Sequence, residues 1–379
     1  MQRIEPANNG VKFWLVAICV IVLSITISAG LWPFSFDQDN NVKWNADRAG
    51  LHFGDHGMIV SREKFEGLPT DASKGCTLEL WVEPGLSSGS STLLSFYNPQ
   101  SSTRVQLQQN SDSLGVIHAP GPPYNRLNQH SVFLDHVLKK GQKILVTLAY
   151  ANGALDVYLD GSLRKSTRTL EKPCADFSGT LIVGNAPYKD ASWTGIVYGL
   201  AFYNHGLRAG EVVENFRKWQ SHQDDALGDH AKPYALYLFN ERNGTIVHNF
   251  GTARIDLEIP KRYFVLHPGF LVPFWREFRP SLHYVKDLTI NIFGLVPLGL
   301  CFAAMFAWVM DRKRSLLSTM VAGFFVSLTI EVLQAFIPTR MSGTTDLITN
   351  TSGAALGAWL YLNKYTQTWL EQRALIRTT

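Results

Sequence analysis

Hydrophobic residues fall into two regimes along this chain. Residues 13–31, 288–309, 316–337 and 347–362 are nearly continuous in apolar side chains. Each stretch is about long enough to cross a hydrocarbon core of roughly 30 Å at about 1.5 Å per residue, so the pattern predicts four transmembrane helices. Between the first and second stretches, over residues 43–220, the pattern changes to period two. Residues 77–82, 144–150 and 155–159 alternate in polarity or form short apolar runs, and Asn152-Gly153 and Asp160-Gly161 supply tight hairpin turns. An all-β sandwich is predicted there, inserted between the first two helices.

Polar residues interrupt the last three apolar stretches in pairs: Asp287 and Asn291, Glu331 and Gln334, Asp346 and Asn350. Members of a pair lie three or four residues apart and therefore share a helix face. Arg340 sits in the short loop between the second and third pairs, and Gly353 and Gly357 continue the Asn350 face as a small-residue stripe that lets another helix approach. Side chains of this kind cost roughly 2.5–3.5 kcal/mol each at the centre of a membrane helix, so they are expected to converge on one another or on a ligand. The predicted division is 1–34 for the amino terminus and first helix, 43–220 for the sandwich, 221–285 for a connector, 286–363 for three membrane helices, and 364–379 for a tail. Within the connector, residues 263–275 are aromatic but broken by Pro268, Gly269 and Pro273, which predicts a segment lying along the membrane interface.

Charge sets orientation more than partner choice. Arg3 and Lys12 precede the first apolar stretch, Arg312, Lys313 and Arg314 join the second to the third, and Lys364, Arg373 and Arg377 follow the fourth. With four crossings these basic flanks share one side, which predicts cytoplasmic termini and an extracytoplasmic sandwich in a protein of the cell (plasma or inner) membrane. A cleaved signal peptide is the alternative for the first stretch, with Ser28-Ala29-Gly30 as its small-residue site. The net charge of +4 and the lack of an aromatic-interleaved basic run give no reason to expect nucleic acid as a partner. Of the four cysteines, Cys19 and Cys301 fall in apolar stretches, while Cys76 and Cys174 fall in the sandwich. An oxidising compartment permits a bridge between these two, and separate buried thiols are the other reading. Asn243-Gly244-Thr245 fits a glycosylation pattern but reads most simply as a surface turn.

The sandwich resembles the LamG-like, concanavalin A-type jelly rolls. The resemblance rests on residues 78–84 (Leu-Glu-Leu-Trp-Val-Glu-Pro), on the hairpin 155–161, on Phe177, Gly179 and Gly184, and on residues 192–204, followed by Leu207 and Glu211-Val212. It implies two curved sheets that bind glycans or proteins, sometimes with calcium; no other cofactor and no metal site is expected. Glucanases of this fold carry carboxylates as Glu-x-Asp-x-x-Glu on one strand face, and that strand is absent here, which favours a binding module over a hydrolase. Trp81, Trp193 and Tyr198 read as core fillers before they read as sugar platforms, and Tyr124, in a loop rich in Gly and Pro, is the better surface aromatic.

The helices resemble the VanZ-like membrane proteins. Asp287 and Asn291 are followed by Phe293 and Pro297-Leu298-Gly299; then come Glu331, Gln334, Arg340, Asp346, Asn350, Gly353 and Gly357, while Trp32-Pro33-Phe34 resembles the family's exit from its first helix. The resemblance implies a bacterial-type envelope protein and a link to teicoplanin-like glycopeptide resistance, with no reaction attached. Two functions are expected from different classes. In the first, Asp287, Asn291, Glu331, Gln334, Arg340, Asp346 and Asn350 bind an amphipathic ligand or membrane lipid headgroup at the outer leaflet, with Arg340 paired to Glu331 or Asp346 when empty, while the sandwich engages a surface glycan or an envelope protein. In the second, an intramembrane hydrolase or transferase uses Glu331, Asp346 and Asp287 as acid and base on a lipid-linked head group. No HExxH, CxxC or Ser–His pairing supports known protease or zinc chemistry. A bundle whose polar groups merely pair across helices is the structural alternative.

Overall fold

The computed structural model describes residues 4–6, 8–45, 49–68, 75–85, 89–99, 104–119, 130–168, 173–221, 227, 232–266, 269–278, 281–373 and 375–378. The chain divides into two compact units: Asp37–His267, and Met1–Phe36 with Pro268–Thr379.

The second unit opens with β1 (Ile4–Pro6) and α1 (Asn9–Leu31), whose first turn is capped by Asn8 accepting a hydrogen bond from the Val11 amide. The sandwich then follows as β2 (Val42–Trp44), β3 (Leu51–Phe53), β4 (Ile59–Ser61), β5 (Phe65–Glu66), β6 (Cys76–Pro84), β7 (Ser90–Tyr97), β8 (Arg104–Asn110), β9 (Ser113–Ala119) and β10 (His130–Leu134). It continues with β11 (Ile144–Ala151), β12 (Ala154–Leu159), β13 (Ser162–Arg168), β14 (Ser178–Val183), β15 (Gly195–Tyr203), α2 (Ala209–Gln220), β16 (Ala235–Tyr237), β17 (Ile246–Val247) and β18 (Leu257–Glu258). Among the described residues, one antiparallel sheet runs β10-β9-β8-β7-β14-β4-β18-β17, with β5 beside β14; the other runs β13-β12-β11-β6-β15-β3-β2, with β16 beside β15.

Packing on both faces explains why β6 is almost wholly buried. Cys76, Leu78, Leu80 and Val82 enter the core between the sheets, while Trp81 on the opposite face packs with Trp219 of α2. A central strand covered on both sides reads as a continuous buried run. The predicted hairpins form as expected, because Asn152-Gly153 and Asp160-Gly161 all adopt positive φ, the backbone a two-residue hairpin needs. Cys76 and Cys174 are joined by a disulfide that closes a loop of sequence separation 98, which decides between the two cysteine readings. Trp81 and Trp193 are core residues, and the Trp193 indole N–H donates to Gln109 Oε1 at 2.7 Å. Tyr124 lies outside the described residues.

The predicted end of the sandwich near residue 220 is corrected. β16, β17 and β18 complete the two sheets, and Tyr263 is buried with Met58, Tyr97 and Ile182. These late strands are two or three residues long and flanked by polar turns, so they lack the period that marks the earlier ones. The predicted interfacial segment is therefore divided: Tyr263, Val265 and Leu266 pack with the sandwich, and only residues from Pro268 onward belong with the helices. The entry and exit of the sandwich lie side by side. Tyr263 N–H donates to the Gln38 carbonyl at 2.8 Å, Asn40 Nδ2 reaches the Pro260 carbonyl at 2.7 Å, and Arg262 pairs with Asp37 and Asp39.

The remaining helices are α3 (Phe274–Glu277), α4 (Leu282–Phe306), α5 (Arg312–Gln334), α6 (Thr344–Leu362) and α7 (Lys364–Gln372), followed by β19 (Ile376–Thr378), which pairs antiparallel with β1. Residues 9–31, 284–306 and 312–334 form three helices long and apolar enough to cross a membrane, with mean hydropathy 2.5, 2.0 and 1.9. The predicted fourth span, α6, is helical over 19 residues but less apolar, because Thr344, Thr345, Asp346, Thr349, Asn350, Thr351 and Ser352 crowd its first half. It packs against both α4 and α5. Its glycines explain how closely. A Cβ on Gly353 would stand 2.1 Å from the Ile292 carbonyl oxygen, and one on Gly357 would stand 2.2 Å from that of Val296. Gly299 of α4 makes the reciprocal approach, 2.2 Å from the Ala354 carbonyl oxygen.

Candidate functional site

The predicted polar residues of the helical unit gather around the start of α6. Gly343, the N-cap, has no side chain to satisfy the first amides of the helix, so other segments do it. The Gly343 amide donates to Glu331 Oε2 of α5 at 2.8 Å, and the Thr344 amide donates to the Val272 carbonyl at 2.9 Å. The Thr345 amide donates to Glu277 Oε2 of α3 at 3.0 Å, and the Thr345 hydroxyl donates to the same oxygen. Two carboxylates thus meet the positive end of one helix dipole, an arrangement that stabilises negative charge. Glu331 is 1% exposed.

Neighbouring contacts extend this arrangement without making it one network. Asn291 Nδ2 of α4 donates to Asp346 Oδ1 at 2.7 Å, tying α4 to the first turn of α6. Deeper by one turn, Asn350 Nδ2 donates to Ser327 Oγ at 3.0 Å, tying α6 to α5. Gln334 Nε2 donates to the Gly30 carbonyl at 2.7 Å, and the Arg340 guanidinium donates to the Trp32 carbonyl, so both close the end of α1. Asp287 is exposed on α4.

Two expectations are corrected. Arg340 forms no ion pair with Glu331 or Asp346 among the described residues; its guanidinium is taken by a helix-end carbonyl that would otherwise lack a donor, and its side chain is exposed. The seven residues form separate contacts rather than one hydrogen-bonded cluster, because backbone groups at the ends of α1 and α6 compete for Gln334, Arg340 and Glu331. Sequence reasoning missed Glu277, the second carboxylate that caps the α6 start. Its signal was a lone acid in an otherwise aromatic segment, and no helical spacing links it to the other pairs. It also missed Ser327, whose hydroxyl sits in an apolar run.

Among the described residues no group of three or more His, Cys, Asp or Glu side chains is arranged to hold a metal ion. In the sandwich, the polar residue of most chemical note is Glu79, fully buried under α2. It accepts hydrogen bonds from Trp219 Nε1 at 3.0 Å, from the Tyr203 hydroxyl at 3.2 Å, and from Asn215 Nδ2 at 3.3 Å. All three donors are neutral, and burial pushes its pKa up to about 7 against their opposing pull.

Comparison with known proteins matches residues 211–366 to the VanZ/LLP1 family and residues 61–213 to the concanavalin A-like lectin/glucanases superfamily. The chain thus combines a concanavalin A-like domain with a VanZ-like region, and with its apolar helices it is a membrane protein. No curated protein matches it. Among solved structures it is similar to an SAP-like pentraxin from Limulus polyphemus, at 13% identity and a TM-score of 0.33, over 46% of this chain and 78% of that one. It is also similar to a putative carbohydrate binding protein from Bacteroides ovatus, at 14% identity and a TM-score of 0.39, over 55% of this chain and 57% of that one. A third likeness is to the Ruminococcus gnavus IT-sialidase CBM40 bound to alpha2,3 sialyllactose, at 12% identity and a TM-score of 0.33, over 43% of this chain and 100% of that one.

Proposed function

We propose that this protein binds the headgroup of an amphipathic ligand, a membrane lipid above all, at the end of the helical unit where α6 begins, and that its sandwich engages a surface glycan or an envelope protein. The observation that carries the reading is the placement of Glu331 and Asp346 inside apolar helices near an exposed Arg340 that forms no ion pair with either of them among the described residues. An exposed guanidinium at the end of a membrane helix suits an anionic headgroup through charge-assisted hydrogen bonds. Trp32, Phe34 and Phe336 are exposed at the same helix ends, and such rings suit the headgroup region.

The disulfide suits an oxidising, extracytoplasmic location for the sandwich. The pairing of β1 with β19 brings the start of α1 and the end of the helical unit together, which supports an even number of crossings with α6 as the fourth. Glycopeptide susceptibility is the cellular readout that the VanZ-like resemblance implies. The hydrolase or transferase reading gains no observation of its own, since Glu331 and Asp346 are engaged by Gly343 and Asn291.

Native mass spectrometry of the full chain released from nanodiscs tests the proposal. The wild type should retain phosphatidylglycerol over phosphatidylcholine, and Arg340→Ala should lose about tenfold in that preference. Equal retention of both lipids by both proteins would remove the headgroup site.

A further inference from the structure

Residues 269–278 cross the start of α6 in an unusual way. Their inner side is held by hydrogen bonds: the Val272 amide donates to the Ser342 carbonyl at 3.0 Å, the Thr344 amide and hydroxyl donate to the Val272 carbonyl at 2.9 and 3.1 Å, and the Leu271 amide reaches Ser342 Oγ at 3.3 Å. Glu277 completes the attachment through Thr345. Their outer side is apolar and exposed, with Phe270, Phe274 and Phe278 uncovered and Trp275 67% exposed. Of the apolar side chains in the segment, Val272 alone is buried, at 6% exposure. The segment's partners Ser342 and Thr345 are buried, as is Glu331, which accepts from the Gly343 amide between them.

A segment that is fixed by polar contacts and buries almost no apolar surface belongs to the low-stability end of a structure, where local opening is cheapest. Leu271 adds to this, since its φ of +42° is a left-handed conformation that a leucine adopts at a cost. Gly343 shows how tightly the inner side closes: a Cβ there would stand 1.8 Å from Glu277 Oε1. The aromatic outer side matches the membrane interface in composition, so the segment has a favourable environment whether attached or lifted.

Resting on the headgroup reading above, we infer that residues 269–278 are a lipid-facing lid over Glu331, latched to the start of α6 by Glu277 and opened sideways toward the bilayer. The ligand it admits is a membrane lipid whose headgroup carries hydrogen-bond donors, the groups that Glu331 accepts.

Glu331 itself reports the lid. It is the sole carboxylate in the tryptic peptide 315–340, so its modification by a hydrophobic carbodiimide can be read by mass spectrometry on the full chain in phosphatidylglycerol nanodiscs. Removing the latch with Glu277→Ala should speed modification at least about tenfold, the scale of losing hydrogen bonds to a charged group. The pair Leu271→Cys with Ser342→Cys, oxidised to a crosslink, should stop modification, and reduction should restore it. The crosslinked pair also decides the matter if Glu277→Ala does not fold. Modification at the wild-type rate in both the unlatched and the crosslinked proteins would overturn the lid. Lipid retention measured on the same samples separates the two ideas: lid-dependent modification without lipid preference sinks the headgroup reading alone, and lipid preference without lid-dependent modification sinks the lid alone.

Discussion

Glu79 is the residue whose chemistry reaches furthest beyond its own contacts. The folded sandwich holds its proton up to about pH 7, whereas the ordinary value is 4.5, so between these limits the folded chain binds more protons than the unfolded one. Stability should therefore fall as pH rises from 5 to 8, by on the order of 2 kcal/mol from this group. His56, whose pKa is raised by its hydrogen bond to Asp190, contributes a slope of the same sign. Denaturant unfolding followed through Trp81 and Trp219 should show the fall, and Glu79→Gln should reduce it; an unchanged slope in the variant would place its origin elsewhere. At this scale the sequence singled out the polar residues of the helices but was uninformative about their partners. Asn291 and Asp346 do meet, as their faces suggested, but Arg340 finds a carbonyl in place of a carboxylate. Backbone acceptors at helix ends leave no mark in a sequence, and neither does the competition they create.

Among the elements, α6 depends most on what it lacks. Gly353 and Gly357 bring its backbone against that of α4, so a branched side chain at either position must separate the two helices. Gly353→Val should destabilise the helical unit by about 1–3 kcal/mol or more, the usual penalty of overpacking. Gly294→Ala is the contrast, since nothing lies within 4 Å of a Cβ there, and it should be neutral or stabilising by up to about 1 kcal/mol. Unfolding in mixed micelles, monitored by helicity, compares them; equal losses would mean that the glycine stripe is not a contact. The small-residue stripe was legible from spacing alone, as were the hairpins at Asn152 and Asp160, because local backbone needs select those residue types. Strands β17 and β18 were not, because two residues carry no period.

For the whole molecule, sidedness is the property that its basic flanks predict and its disulfide supports. A membrane-impermeant maleimide applied to intact cells should modify Asn152→Cys in the exposed hairpin and should spare Lys313→Cys at the start of α5 until the cells are opened. The reverse pattern would invert the topology. The adjoining entry and exit of the sandwich have a further consequence, for the order of events during synthesis. About 250 residues separate the end of α1 from the start of α4, the first of its long partners. At 5–20 residues per second the ribosome needs roughly 12–50 s to make them. Throughout that interval α1 has no helix beside it, and past its first turn, which holds Asn9 and Lys12, it carries no ionised or amide side chain, unlike the helices that follow one another closely. The scarcity of strongly polar groups past that turn suits the wait imposed by the domain placed after it.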